Sequence, residues 1–437
     1  MTYEETTQYL FEQTANYERQ GQSGYKEGLQ NSEQLDEHYG HPHLAFKSIH
    51  IAGTNGKGSC SHALATILQL CGYRVGLYTS PHLLDFSERI RVNGQPIPKK
   101  YVIDFVEEGQ SFFESIGASF FEITTAMAFK YFKDKDIDIA VVEVGLGGRL
   151  DSTNIITPIV SLITNISMDH TQMLGTSLEQ IAMEKAGIIK KGVPVVIGES
   201  LPETRPVFEA KAKAMEAPII FADDYQEIIS YKPRPEGGFI YQTEHMGQIA
   251  CELSGLYQPK NMGSVLPVLN ELVKAGYLCD CKSEKNLKKV NFELNEAFTK
   301  INSLTGLMGR WQTVRTNPTV VCDTGHNVGG WEYLSKQLAN VDGSLHIVFG
   351  MLEDKDVYGV MSLLPKNATY YFCKPQSKRA LSEQSVMMLG QQLGLTGQAY
   401  LSVKEAYSAA LNAASRSDFI FVGGSGYVVA EFLKICF

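Results

Sequence analysis

Residues 49–62 read IHIAGTNGKGSCSH, and this stretch decides the fold. A phosphate-binding loop is commonly spelled G-x-x-x-x-G-K-[ST]. Here Ile51 stands at the first glycine position and Gly58 at the hydroxyl position. The physics of such a loop nevertheless needs only backbone N–H groups converging on phosphate, a lysine, and a nearby hydroxyl. Gly53, Gly56 and Gly58 permit the first, Lys57 supplies the second, and Ser59 or Thr54 supplies the third. Before the loop, 48–52 is an apolar run that reads as a buried strand. After it, His62, Ala63, Leu64, Ile67, Leu68 and Cys71 recur at helical spacing until Gly72. A glycine-rich turn with a solvated lysine is the bland alternative, and the strand-loop-helix order weighs against it.

Working outward, 437 residues exceed what one hydrophobic core serves, so two domains are expected, with three as the outer case. The composition, 44% hydrophobic and 20% charged, is ordinary for a soluble globular protein, and no apolar run reaches the eighteen or so residues of a membrane span. The acidic, amphipathic start MTYEETTQYLFEQ is not a signal peptide. A net charge of −9 argues against a nucleic-acid partner, which usually needs a basic face. The 8 cysteines are scattered, and the close pair Cys279 and Cys281 lacks a second pair at zinc spacing, so free thiols in the cytoplasm are expected.

Residues 1–47 read as helices with polar turns, including 17–31. Strands are expected at RVGLYTS, IDIAVVEVG, PIVSLITNIS and VPVVIGE, with helical material at 101–116 and 123–132. Short valine- and isoleucine-rich runs alternating with helices indicate a mostly parallel sheet covered on both faces. Residues 218–258 change to short strands with turns, and helices follow at 261–275 and 292–304. A second series then begins: TVVCDTGHN, LHIVFGM, ATYYFCKP and DFIFVGGSGYVVAEFLK, separated by helices. The expected architecture is α/β, with an N-terminal P-loop ATPase domain at 1–302 and a smaller Rossmann-like α/β domain at 303–437.

The spelling GTNGKGS resembles one family, the folylpolyglutamate synthases and dihydrofolate synthases, relatives of the Mur peptide ligases. YTSPHLLDFSERIRVNG, FFEITTAMAF, VVEVGLGGRLDSTN, TNISMDHTQMLG, EKAGIIK, LSGLYQPKN, GRWQ, DTGHN and GSGY match the same family in the same order, from Tyr17 to Tyr427. The hydroxyl shifted one residue past Lys57 is that family's own version of the loop.

The resemblance implies a ligase that uses ATP to join L-glutamate to folate, and to 7,8-dihydropteroate, through an acyl phosphate, releasing ADP and phosphate. It implies ATP binding by Gly53, Thr54, Asn55, Gly56, Lys57, Gly58, Ser59, Asn261, Arg310 and Asp323. It implies magnesium, as two ions, on Ser59, Ser80, Glu143, His170 and a carbamylated Lys185, with potassium a further candidate. Glu143 ends a strand, where ligands bind in open α/β sheets. Its bland alternative is an edge glutamate capping a turn. For His170 and Ser80 the alternative is a turn or helix cap, and for Lys185 an ordinary lysine near a helix C-terminus. The pteridine segment matches Ser119, Phe120, Phe121 and Glu122, with at least one phenylalanine expected in the core. Leu150, Asp151 and Ser152 match a second contact segment. Arg89 and Arg91 are expected to be solvated, with substrate carboxylates as the other candidate partner.

In the second domain His326, with Ser425 and Tyr427, matches segments associated with the incoming glutamate and the edge of ATP. Thr324, Gly325 and Val328 depart from the family's usual spelling around His326. Catalytic roles fall to Lys57, Lys185 and His326, the last as a candidate base. Arg310 is expected to meet phosphates when the domains close. A Mur-type ligase proper would carry a further N-terminal domain, for which the 52 residues before Gly53 are too few. A folylpolyglutamate synthase without the dihydropteroate activity, and a non-catalytic ATP-binding switch, remain the alternatives. The expected partners are small molecules only, with no nucleic acid or membrane, and the family is usually monomeric.

Overall fold

The computed structural model describes residues 1–12, 14, 28–278 and 294–437. Most of 17–31, the Cys279–Cys281 pair and the start of the helix expected at 292–304 lie outside these. Of that helix, residues 294–298 and Ile301–Thr305 are helical.

The chain divides into two compact units, Met1–Leu253 with Gln258–Leu307, and Ser254–Tyr257 with Met308–Phe437. The first holds an eight-stranded sheet whose strands are β1 (Lys47–Ala52), β2 (Val75–Tyr78), β3 (Ile90–Val92), β4 (Gln95–Pro96), β5 (Ile139–Glu143), β6 (Val160–Ile163), β7 (Val195–Ile197) and β8 (Ile219–Phe221). Their order across the sheet is β4-β3-β2-β5-β1-β6-β7-β8. From β2 to β8 every pairing is parallel, while β3 and β4 are added antiparallel at one edge. Strands β5 and β6 are buried along their whole length, which is why they read as unbroken apolar runs.

Residues 218–258 differ from expectation in one respect. The run Ile219–Phe221 is the last strand of the main sheet, because it follows the helix Arg205–Ala214 in the same strand-helix rhythm and pairs with Val195–Ile197. The separate antiparallel sheet is β9 (Ile228–Pro233), β10 (Phe239–Thr243) and β11 (Gln248–Cys251). Strand β9, IISYKP, is mostly exposed, with Ile229 and Tyr231 on the surface, so its residues do not alternate between a buried apolar face and a polar one.

The second unit holds β12 (Gln312–Thr316), β13 (Thr319–Cys322), β14 (Leu345–Phe349), β15 (Ala368–Cys373), β16 (Thr396–Tyr400) and β17 (Phe419–Gly423) in the order β12-β13-β17-β14-β15-β16. All pairings but β12–β13 are parallel. Trp331 is fully buried at its core, edge-on to Phe349 and Phe421 with ring centroids 5.6 and 5.7 Å away. Truncating it would cost about 3–5 kcal/mol.

Candidate active site

In the first sheet, parallel strands deliver their C-terminal ends to one edge. Across that edge stand Ser80 just beyond β2, Glu143 at the end of β5, Gly53 after β1, residues 164–170 after β6 and Glu199 after β7. From β1 the chain crosses past β5 to β2, and after β5 it moves to the opposite side at β6. This reversal is the topological switch point where open α/β sheets bind ligands. The sequence motifs therefore meet because of strand order.

The loop itself is built on two glycines. Gly53 has φ +144°, and a Cβ there would lie 1.8 Å from Thr164 Oγ1. Gly56 has φ +86°, and its Cβ would lie 2.2 Å from Asn261 Oδ1. No other residue fits either position. Thr54 N–H donates to the Asn165 carbonyl (2.9 Å), and Asn55 N–H donates to Asn165 Oδ1 (2.9 Å). Gly56 then caps the helix Lys57–Leu70 with no side-chain cap. Lys57 Nζ folds back to the carbonyls of Gly53 (2.9 Å) and Thr54 (3.1 Å). Ser59 is buried, and its Oγ accepts from Gln258 Nε2 (3.2 Å), whose Oε1 accepts from Asn261 Nδ2 (2.8 Å). Asn165 and Gln258 were not singled out from sequence, although both lie inside stretches that carry the family resemblance.

Lys185 departs furthest from its bland alternative. It is buried and donates from Nζ to the Gly53 carbonyl at 3.0 Å. Burial, and next the charge of Lys57, push its pKa down to about 7, with Asp169 and Asp151 pulling the other way. Glu143 is 3% exposed, and its Oε2 lies 3.4 Å from the Ser80 amide. His170 takes φ +50° and opens the short helix Thr171–Leu174. Its Nε2 lies 3.8 Å from Asp169 Oδ2, a buried carboxylate not singled out from sequence. Carboxylate, imidazole and hydroxyl donors at adjoining strand ends suit a hard divalent cation.

The acceptor segment is locally determined. Ser119 and Glu122 form a capping box on the helix Phe120–Asp134, with Ser119 N–H donating to Glu122 Oε2 at 2.6 Å. Phe120 is a core residue, 2% exposed and stacked on Phe11. Phe121 is partly buried and lies against Gly145, whose Cβ would meet the ring at 2.4 Å. Leu150 is half-buried and Ser152 is buried. Asp151 is buried with its carboxylate turned into its own turn, accepting from Leu146 N–H (2.9 Å) and from the N–H and hydroxyl of Thr153 (3.0 and 2.5 Å). Burial pushes its pKa up against those hydrogen bonds.

Arg89 and Arg91 correct the expectation of solvated arginines, being 0% and 7% exposed. The segment 78–94 folds back because Glu88 gathers the amides of Leu83, Leu84 and Asp85, each at 2.9 Å, while Tyr3 OH reaches Asp85 Oδ1 at 2.6 Å. Arg89 Nε then donates to His82 Nδ1 (2.8 Å) with its guanidinium 4.9 Å from the Phe120 ring centre. Arg91 donates to the Gly94 carbonyl (3.2 Å), and burial lowers its pKa.

The second unit gathers its own group at the end of β13. Asp323 is buried, its pKa raised by burial. It accepts from Tyr257 OH (2.5 Å), Trp311 N–H (2.7 Å) and Gly325 N–H (2.8 Å). Arg310 donates to the Thr324 hydroxyl and to the Gly309 carbonyl. His326 Nδ1 pairs with the Thr324 carbonyl at 3.0 Å. Ser425 caps the helix Gly426–Cys436, which contains Tyr427.

Comparison with known proteins agrees with this geometry. Residues 51–262 match the Mur ligase middle domain, and 309–426 match the Mur ligase glutamate ligase domain. The chain is 34% identical over 393 residues to the dihydrofolate synthase/folylpolyglutamate synthase of Buchnera aphidicola (subsp. Schizaphis graminum), covering 88% of this chain and 87% of that one. It is 32% identical over 390 residues to the Escherichia coli protein of that name, covering 88% and 85%. Among solved structures, E. coli FolC in complex with DHPP and ADP superposes with a TM-score of 0.81 at 28% identity, covering 100% of this chain and 97% of the other. The bifunctional Yersinia pestis enzyme complexed with AMPPNP and Mn ion gives 0.79 at 28%, covering 100% and 98%. With the glycine loop, the strand-end donors and both domain matches in one order, the chain belongs to the folylpolyglutamate synthase/dihydrofolate synthase family of Mur-type, ATP-dependent ligases.

Proposed function

We infer that this protein joins L-glutamate to a folate carboxylate and to 7,8-dihydropteroate at the expense of ATP. The observation that carries the reading is Lys185: a buried amine, with a pKa near 7, tied to the carbonyl of the residue that opens the phosphate loop. A lysine with the ordinary value would be protonated and inert toward carbon dioxide. At neutral pH about half of this one is the free amine, which can add to carbon dioxide, losing one proton and becoming a carbamate. Its remaining N–H can keep the bond to Gly53.

The loop amides and Lys57 would hold the β and γ phosphates, with Lys57 leaving the carbonyls of Gly53 and Thr54 for phosphoryl oxygens. The acceptor's carboxylate oxygen takes the γ phosphoryl group, the bond to ADP breaks, and an acyl phosphate results. The glutamate amine, having lost a proton, attacks the acyl carbon, and phosphate departs. His326, whose Nδ1–H donates to the Thr324 carbonyl, or a phosphate oxygen is the candidate to take that proton. Phe121 over Gly145 offers a flat apolar face for the pterin. Asn261, Arg310 and Asp323 complete the proposed ATP set. Glu143, His170, Ser80, Ser59 and carbamylated Lys185 would hold divalent cations, proposed as two magnesium ions, whose charge neutralises the phosphoryl oxygens. Potassium is a further candidate. The net charge of −9 supports a protein without a nucleic-acid partner, and we place it in the cytoplasm as a monomer.

The test is ADP release from purified protein with ATP, magnesium and L-glutamate, with 7,8-dihydropteroate and a reduced monoglutamyl folate as separate acceptors. Turnover with both, lost in Lys57→Ala, supports the reading. Turnover with one names a single activity. ATP binding without turnover on either acceptor overturns it.

A further inference from the structure

The run 36-DEHYGHPH-43 sets two histidines around a proline, five and seven residues after an aspartate. Nothing in the ligase reading uses it. The helix Gln30–His38 ends here, Gly40 takes φ +68°, His41 takes φ +53°, and Pro42 opens the short turn Pro42–Leu44 that leads into β1. His41 N–H donates to the Asp36 carbonyl at 2.8 Å, closing the turn. Asp36 is 6% exposed, and each of its oxygens faces a different ring: Oδ2 lies 2.7 Å from His41 Nδ1, and Oδ1 lies 2.6 Å from His43 Nδ1. Three donor atoms, one from each residue, lie within 4.8 Å of one another. His38 is not part of the cluster, since its ring stacks on Phe112.

We propose that Asp36, His41 and His43 form a binding site for one divalent first-row transition cation, held by the two Nδ1 atoms and the carboxylate between them. Two imidazoles flanking opposite oxygens of one carboxylate is the layout in which a bidentate carboxylate and two nitrogens share an ion. Bonds of about 2.0–2.2 Å separate neighbouring donors by about 3 Å, so the rings need to move back only slightly from their hydrogen-bonded positions. The backbone is already set by Pro42 and by two left-handed residues, so little ordering remains to be done on binding. Before binding, each Nδ1–H donates to Asp36; on binding, each ring releases that proton to solvent, carries one on Nε2 instead and turns the Nδ1 lone pair to the ion. His41, with its side chain 56% exposed, leaves the outer positions open to water. Imidazole donors favour zinc, nickel or copper, whereas magnesium prefers oxygen, so the ligand class differs from that of the ATP site. A bound ion would fasten the end of the helix Gln30–His38 to the turn that leads into β1.

The test is titration of full-length, chelator-treated protein with Co2+ under excess Mg2+, read by visible absorption, for wild type, His41→Gln and His43→Gln. Uptake elsewhere in the chain is common to all three, so the difference is the readout. The expected result is one Co2+ more per wild-type chain, bound at least about 10-fold more weakly in either variant, and a Zn2+-dependent rise in Tm confined to wild type. His41 is too exposed for its replacement to unfold the protein, so His41→Gln keeps the test decisive if His43→Gln folds poorly. Equal Co2+ uptake and equal Tm shifts in wild type and His41→Gln would overturn the proposal.

Discussion

Residues 53–58 and residues 323–327 occupy equivalent places in two different sheets: each follows a buried parallel strand and precedes a helix. They are closed by opposite means. In the first, Gly56 starts the helix with no side-chain cap, and Lys57 folds its ammonium onto the Gly53 carbonyl. In the second, Asn327 caps its helix by accepting from Gly330 N–H (2.9 Å), and the Asp323 carboxylate collects three donors. A helix N-terminus without its own acceptor is open to an outside anion, whereas one that supplies its own acceptor is already satisfied. Topology is shared, and side-chain chemistry distinguishes a loop left open to an anion from one whose helix end is already capped.

The largest effect expected from this contrast is at Lys57. Lys57→Ala removes the charge that the cradle offers to phosphate, and kcat/KM for either acceptor should fall by about 10²–10³-fold or more, with the urea midpoint nearly unchanged. A variant with near-normal turnover would break the assignment of the loop. At the other loop, where Asp323 also belongs to the proposed ATP set, a loss of stability should accompany the loss of turnover. Asp323→Ala strands Tyr257 OH and the amides of Trp311 and Gly325, so unfolding should become easier by about 2–3 kcal/mol, read by denaturant titration.

Lys185 sharpens the comparison through pH. Its folded pKa, near 7, lies below the ordinary 10.5. The unfolded chain therefore binds more protons between those values, and the penalty is fully present below pH 7 and fades as pH rises toward 10.5. Lys185→Met should abolish turnover and yet raise stability at pH 6 by on the order of 1–2 kcal/mol, part of the gain being offset by imperfect packing. The gain should shrink toward pH 10. A gain that grows with pH would reverse the sign of the argument. The smallest effect is the cap: Asn327→Ala should cost about 1 kcal/mol in a melt, with little change in nucleotide affinity at the first loop.

Much of this was legible because it is local. The strand, the glycine turn and the amphipathic helix around Lys57 follow from periodicity and from backbone freedom within 24 residues, 48–71. The capping box of Ser119 and Glu122 is likewise spelled in four consecutive residues, which explains both positions without a ligand. What stayed hidden depends on distant partners. Asn165 and Gln258 hold the loop from 110 and 199 residues away, and no local period or turn signal shows that they reach it. The exposed edge strand β9 stayed hidden because its apolar residues, Ile229 and Tyr231 among them, face outward and do not alternate with buried ones.

The sequence by itself determined which residues could cradle phosphate, where the parallel strands lie, and that two α/β units follow each other. Only the tertiary structure decided strand order, which brings Ser80, Glu143, Gly53 and His170 to one edge, and burial, which turns two apparently solvated arginines inward and brings Lys185 to Gly53, 132 residues before it. The reason is physical: φ preferences and hydrophobic period act between neighbours in the chain, whereas desolvation and charge act between neighbours in space.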